Sequence, residues 1–193
     1  AYMNTGVQRS SATPPAARTA TTQIAGSEPG NQWGQGKDVP LIAMAHGIPY
    51  VATATVADLR DLERKVEKAM SMHGARYIHI FVPCPLGWGT ASGKTIEIAR
   101  LAQETGIFPV FEAEYGEVTS SYKIRRRQPV EAYLKLQKRF AHLFGKKGDP
   151  AVVARIQELA DRNIEKFNLM AGDDDREVQI PVAAQAEERS QQI

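Results

Sequence analysis

The chain carries a single cysteine among 193 residues, Cys84, so no disulfide framework can form within it. A lone thiol fits a reducing compartment, and a cytoplasmic location is expected. Long apolar runs are missing too: nowhere do about 18 apolar residues follow one another, so no membrane span is expected. No apolar core of a signal peptide occupies the first thirty residues, so none is expected. Nor is there an excess of charge of one sign. With 24 Lys+Arg against 22 Asp+Glu, a formal charge of +2 argues against a dedicated nucleic-acid binder. What is present, 42% apolar and 24% charged residues, is the composition of a globular chain and excludes collagen-like, coiled-coil and wholly disordered forms. The length suits one domain with a core of its own.

The first 36 residues hold 16 Gly, Pro, Ser or Thr and only five large apolar residues: Tyr2, Met3, Val7, Ile24 and Trp33. Such a stretch cannot bury enough apolar surface to fold alone, and its length marks it as a binding loop. From Pro40 onward strands and helices alternate. Leu41 to His46 reads as a short helix ended by Gly47, and Ile48 to Ala54 as a buried strand. Thr55 and Asp58 resemble a capping box, followed by Leu59, Leu62, Val66, Ala69 and Met70 at helical spacing. Tyr77 to Val82 reads as the next strand. Ser92 is expected to cap a helix carrying Ile96, Ala99 and Ala102 and closed by Gly106, with a strand from Phe108 to Ala113. Two helices complete the pattern, Pro129 to Phe144 and Asp149 to about Asn168, the second capped by Asp149 with Pro150 at its first position. After Met170 the chain is polar and aperiodic, as a disordered tail would be. The fold class is therefore α/β, a mostly parallel sheet with helices on both faces. Ligands of such sheets sit beyond the carboxyl ends of the strands, which singles out the loop holding Cys84 and the segment opening the chain.

Cys84 lies in Val82-Pro-Cys-Pro-Leu-Gly-Trp88, directly after a strand. The ordinary reading of a lone Cys is a buried apolar thiol, but the flanking prolines hold the backbone rigid and end the ladder, a geometry that suits a ligand or a nucleophile. As a nucleophile it would need a base, and His46, His73, His79 and His142 are available without a spacing that favours one. Gly87 to Thr95 looks like a phosphate loop, but the gap before Gly93-Lys-Thr95 is five residues from Gly87 or three from Gly89, where four are needed. Nucleotide binding through Lys94 thus stands as an alternative. Nine Lys/Arg between Lys123 and Lys147 face one acid, Glu131. They read as a solvated face, or as a non-catalytic dock for an acidic partner; RNA is not expected without interleaved aromatics. His79 shares a strand face with Tyr77 and Phe81 and is assigned no role. In the opening segment Asn4, Thr5, Ser10, Ser11 and Thr13 offer short polar groups, and Gly6 permits close backbone approach. That set suits a diphosphate with Mg²⁺, or simply a flexible polar terminus.

Five stretches in order, Ala1-Tyr-Met-Asn-Thr-Gly-Val-Gln-Arg-Ser-Ser-Ala-Thr-Pro14, Ala45 to Ala54, Pro83 to Trp88, Ile96 to Ala102 and Phe108-Pro-Val-Phe-Glu112, closely resemble the beta subunit of pyruvate:ferredoxin oxidoreductase and related 2-oxoacid:ferredoxin oxidoreductases. The resemblance runs from Ala1 to about Phe144 and more weakly to Phe167. It implies a thiamine-diphosphate-binding fold of which this chain is the C-terminal portion, the three other cluster cysteines and a Gly-Asp-Gly metal motif belonging to a longer N-terminal part. Residues 1–36 would then be the thiamine diphosphate and Mg²⁺ loop, residues 37–168 the remaining α/β unit with its terminal helices, and residues 169–193 the tail. By resemblance Ala1, Tyr2, Met3, Asn4, Thr5 and Gly6 wrap the diphosphate, the Ala1 carbonyl binds Mg²⁺, Asn4 is catalytic beside the substrate, and Cys84 is the fourth ligand of a 4Fe–4S cluster. The implied activity is thiamine-dependent oxidative decarboxylation of a 2-oxoacid to acyl-coenzyme A, with electrons leaving through the cluster to ferredoxin. Pyruvate leads as substrate, ahead of aryl or branched oxoacids. The implied partners are alpha, gamma and delta-type subunits, and the isolated portion is expected to be inactive.

Overall fold

Tyr50–Thr55 is a run of β-branched and aromatic residues with small alanines between them, a pattern suited to a strand covered on both faces. In this computed structural model, which describes residues 8–9, 13–20, 24–25, 28–29 and 36–172, that run is the fully buried strand β3. One short antiparallel pair precedes it, β1 (Ile24–Ala25) against β2 (Glu28–Pro29). Helix α1 (Val39–Ala45) starts two residues earlier than the apolar pattern suggests, because Asp38 caps it by accepting from the Leu41 amide at 3.2 Å.

The sheet has the order β4-β3-β5-β6, with β4 spanning Arg76–Phe81, β5 Phe111–Glu114 and β6 Glu117–Ser121. β3 pairs in parallel with β4 through helix α2 (Leu59–Ser71), the crossover that alternating elements predict. The β3–β5 and β5–β6 pairings are antiparallel, so the α/β sheet is mixed. β6 was not expected. It arises from a two-residue turn in which Tyr115 (φ 49°) and Gly116 (φ 90°) are both left-handed, the geometry of a tight hairpin. Between β3 and β5 the ladder is short, and Thr53 extends it. Its hydroxyl donates to the Pro109 carbonyl at 2.7 Å and accepts from the Phe111 amide at 2.9 Å, beside a proline that has no amide proton of its own.

Helices cover both faces. On one, Tyr50 and Ala52 meet Ala69 of α2. On the other, Val51, Phe111 and Ala113 pack on Leu41 and Met44 of α1 and on Ile164 and Phe167 at the end of α6 (Pro150–Lys166), with Phe111 and Phe167 stacked at 4.5 Å. A larger core lies beyond the strand ends. It joins α4 (Thr95–Glu104), α5 (Val130–Leu134), the 3₁₀ turn Lys138–Leu143 and α6 around Phe81, Trp88, Phe108 and Phe140. Gly106 closes α4 with a φ of 76°, where a Cβ would lie 2.5 Å from Ile164 Cγ1.

Four expectations need correction. Thr55 is not the cap of α2. Asp58 is, accepting from the Asp61 amide at 3.0 Å, while the Thr55 hydroxyl accepts from Ala57. Most of the apolar stripe of α2 does not face the sheet: Leu59, Val66 and Met70 are exposed, and of the stripe only Ala69 is buried, beside Lys65. Ser92 makes no side-chain cap; it opens a 3₁₀ turn (Ser92–Lys94) that runs into α4. The single helix expected from Pro129 to Phe144 is broken after Leu134. Gln137 adopts an extended backbone (φ −126°, ψ 120°). Its side-chain Nε2 donates to the Tyr133 carbonyl at 2.8 Å and its Oε1 accepts from Arg139 Nε at 2.8 Å. Residues two apart on a continuous helix face different ways, so burying Gln137 and Arg139 together requires the break.

Candidate functional site

β4 ends at Phe81, and three residues later Cys84 caps the single helical turn α3 (Pro85–Trp88). Pro83 cannot continue the ladder and Pro85 sits at the first helical position, so the backbone on either side of Cys84 is pinned. The half-buried thiol sulfur accepts from the Gly87 amide at 3.4 Å, and the Cys84 carbonyl accepts from Trp88 at 2.9 Å. Gly89 then turns left-handed (φ 65°) beneath the Lys138 side chain, where any Cβ would come within 2.7 Å of it.

Trp88 is buried, with its ring tilted against Phe81 at 5.7 Å and under the guanidinium of Arg139, whose Cζ stands 3.9 Å from the ring centroid. Arg139 is 5% exposed. Its Nε donates to Gln137 Oε1 at 2.8 Å and its Nη2 to the Tyr133 hydroxyl at 3.3 Å. Burial pulls its pKa down, while the Tyr133 hydroxyl and the neighbouring Cys84 push it up. The Arg139 carbonyl accepts from the Arg18 amide at 2.9 Å. The described end of the opening segment, with buried Thr13, Ala16 and Ala17, is therefore fastened to the turn that faces the Cys84 loop.

Of the residues expected to hold a cofactor, Ala1, Tyr2, Met3, Asn4, Thr5 and Gly6 lie outside the described residues, as do 173–193 of the expected tail. Cys84 is described, and the structure narrows its roles. Among the described residues no histidine hydrogen-bonds its sulfur, and no group of three or more His, Cys, Asp or Glu side chains stands ready for a metal ion. His79 contacts Tyr77 and Phe108 edge-on, and its pKa is pulled down by burial and pulled up by Asp38. His142 is likewise lowered, by burial and by Arg18.

The phosphate-loop alternative fails on geometry. A phosphate cradle needs successive amides free and convergent. Here Gly87, Trp88, Gly89, Thr90 and Lys94 all donate within the loop itself, and Lys94 Nζ pairs with Glu97. The basic stretch also divides. Lys123 donates to the Asn168 carbonyl at 2.8 Å, Arg127 pairs with Asp161, Lys135 pairs with Glu131 at 2.7 Å, and Arg139 is inside. Arg125, Arg126, Lys138, Lys146 and Lys147 remain exposed. Sequence reasoning missed Arg139 because it stands among these surface cations. The one available signal was its place between Gln137 and Phe140, both apolar-facing or buried. A cleft of about 150 Å³ between Thr13–Pro15, Asp38, His79, Phe108 and Asn163 was also unforeseen.

No helix of the described residues is long and apolar enough to cross a membrane. No family model matches the chain. It is 50% identical over 169 residues, 88% of its length, to the pyruvate synthase subunit PorB of Methanosarcina barkeri, covering 57% of that protein. It is 48% identical over 169 residues, again 88% of its length, to the subunit of the same name from Methanocaldococcus jannaschii, covering 55% of it. It is 46% identical over 149 residues, 74% of its length, to the ketoisovalerate oxidoreductase subunit VorB of Pyrococcus abyssi, covering 46% of it. The chain spans about half the length of the curated relatives it matches.

Proposed function

We infer, from the premise that this chain belongs to the beta-subunit family of the 2-oxoacid:ferredoxin oxidoreductases, that it forms part of the cofactor-bearing core of such an enzyme, with pyruvate as its substrate. The observation that carries the reading within this chain is Cys84. It is held rigid beyond a strand end, is half-buried, and is hydrogen-bonded to no base. Beside it, over the Trp88 ring, stands a buried guanidinium in no ion pair among the described residues, and the same loop holds the buried Thr90 hydroxyl, which has no partner among the described residues. Such surroundings suit a thiolate that carries a further anionic group, as a ligand of a 4Fe–4S cluster does.

When bound, thiamine diphosphate with Mg²⁺ would supply the carbon nucleophile and electron sink, and the cluster would supply single-electron transfer. The chain's own part is positioning and electrostatics. Ala1 would offer its carbonyl to Mg²⁺, and Tyr2, Met3, Thr5 and Gly6 would enclose the diphosphate. Asn4 would donate a hydrogen bond to charge developing on the substrate. Pro83 and Pro85 fix where Cys84 presents its sulfur, and Trp88 with Phe81 and Phe108 shields it from water on the core side. Alpha, gamma and delta-type subunits, ferredoxin and coenzyme A complete the proposed assembly.

Replacing Cys84 by Ser in the assembled oxidoreductase tests this. Loss or alteration of one cluster's paramagnetic signal, with ferredoxin reduction collapsing and thiamine diphosphate binding retained, is the expected result. Unchanged iron content and normal ferredoxin reduction would return Cys84 to the status of a small buried hydrophobe.

A further inference from the structure

A buried guanidinium is expensive to desolvate, and proteins ordinarily answer it with a carboxylate. Arg139 has none. Among the described residues it forms no ion pair, and its partners are neutral: Gln137 Oε1 at 2.8 Å, the Tyr133 hydroxyl at 3.3 Å, and the Trp88 ring face at 3.9 Å. These contacts use two of its five N–H groups. They also place it: the guanidinium carbon stands over the ring of Trp88, whose amide is hydrogen-bonded to the Cys84 carbonyl one helical turn back. Cys84 is the one group among the described residues that combines nearness to Arg139 with the capacity to bear a negative charge, apart from the Tyr133 phenol, whose pKa burial pushes up. The packing around Arg139 is close: Tyr133, Phe140 and Leu134 are fully buried. A cation held this firmly in an apolar shell, with no acid among the described residues to answer it, points to an anion that arrives with a ligand.

We propose that Arg139 is a positioning residue that supplies the counter-charge for the anionic group bonded to Cys84 and thereby raises that group's readiness to accept an electron. The inference rests on the reading of Cys84 as a cluster ligand. One-electron reduction of that group, with dithionite as the electron donor in the titration below, would add one negative charge and break no bond. A fixed cation at short range in a low-dielectric shell stabilises the reduced form more than the oxidised form. Lys at this position would keep the charge and lose the guanidinium's contact with the Trp88 ring.

The test is a reductive titration of the assembled oxidoreductase followed by electron paramagnetic resonance, with the relevant signal identified as the one altered by Cys84→Ser. Arg139→Gln should move the oxidised-to-reduced ratio at fixed ambient potential at least tenfold toward oxidised, which is 59 mV for one electron. Gln137→Glu keeps the guanidinium but sets a carboxylate against it, at the cost of the side-chain amide's hydrogen bond to the Tyr133 carbonyl, and should shift the ratio in the same direction. Arg139→Lys should shift it less than threefold. Retained iron with an unchanged ratio in both Arg139→Gln and Gln137→Glu would overturn the proposal and reduce Arg139 to a packing role, seen only as a lower melting temperature. Where Arg139→Gln fails to assemble, Gln137→Glu gives the decision by itself. A wild-type signal untouched by Cys84→Ser would overturn the parent reading, and this inference with it, and is a separate result from an unchanged ratio.

Discussion

Tyr50 donates its phenolic proton to Glu112 Oε2 at 2.8 Å beneath helix α2, and both residues are essentially inaccessible to solvent. Glu112 also receives Arg64 at 2.8 Å, Lys68 at 3.0 Å and the Ser120 hydroxyl at 3.2 Å. This carboxylate explains why α2 lies with charged residues toward the sheet. A buried charge is tolerable only when paired and hydrogen-bonded, so Arg64 and Lys68 are drawn inward to it. Lys65, beside them, is satisfied by Asp61 at 2.6 Å and the Thr53 carbonyl at 2.9 Å.

Removing one member of that cluster should be unequal in cost. Glu112→Ala leaves two cations and a phenol without their acceptor and should lower stability by about 4 kcal/mol, in the range for breaking a buried pair. Tyr50→Phe loses one hydrogen bond to a charged group and should lower it by about 2 kcal/mol. Urea denaturation of the two variants checks the order.

The same cluster predicts an acid limb in the stability profile. Burial pushes the Glu112 pKa up, but hydrogen bonds from Lys68, Tyr50 and Arg64 outweigh it and hold the group at about 2, against an ordinary 4.5. A depressed folded-state value means stability that is complete above the unfolded value and lost as pH falls through the folded one. Unfolding free energy should therefore decline by about 3 kcal/mol between roughly pH 5 and pH 2 on this account. Glu112→Gln should flatten that limb, as read from urea titrations at a series of pH values.

Gly106→Ala should destabilise the junction of α4 and α6. The added Cβ would stand 2.5 Å from Ile164 Cγ1 and 2.9 Å from the Ala160 carbonyl, on a backbone with φ of 76°. Overpacking and the left-handed penalty together amount to about 3 kcal/mol. Gly47→Ala, also left-handed but with nothing within 4 Å, should lose only the conformational part. Thermal unfolding of the pair separates the two contributions.

For the proposed activity, Asn4→Ala in the assembled enzyme should reduce turnover more than it weakens thiamine diphosphate binding. Losing a hydrogen bond that strengthens in the transition state commonly costs on the order of 3 kcal/mol. Parallel losses in cofactor affinity and kcat/KM would assign Asn4 to cofactor retention alone.

Local rules made much of this fold readable in advance. Asp149 caps α6, accepting from Ala151 and Val152 at 3.1 Å, with Pro150 at the first position and Val152, Ile156, Ala160 and Ile164 buried on one face, as the periodicity states. β3, α2 and β4 stand where their apolar runs and breakers place them, because those signals act over a few residues. The location of Cys84 after a strand, braced by two prolines, belongs to the same class.

Other features were settled by contacts distant in sequence. Most of the apolar stripe of α2 is exposed because Glu112, a strand away and 44 to 48 residues from Lys68 and Arg64, recruits the adjoining charged face of the helix. The helix expected from Pro129 is broken because Gln137 and Arg139 must both turn inward. Arg139 itself reads as one surface cation among nine until Trp88 and Tyr133 are brought around it. Periodicity records which residues prefer to be hidden, whereas burial of a charge depends on which partners the rest of the chain delivers, and that is decided only by the tertiary structure.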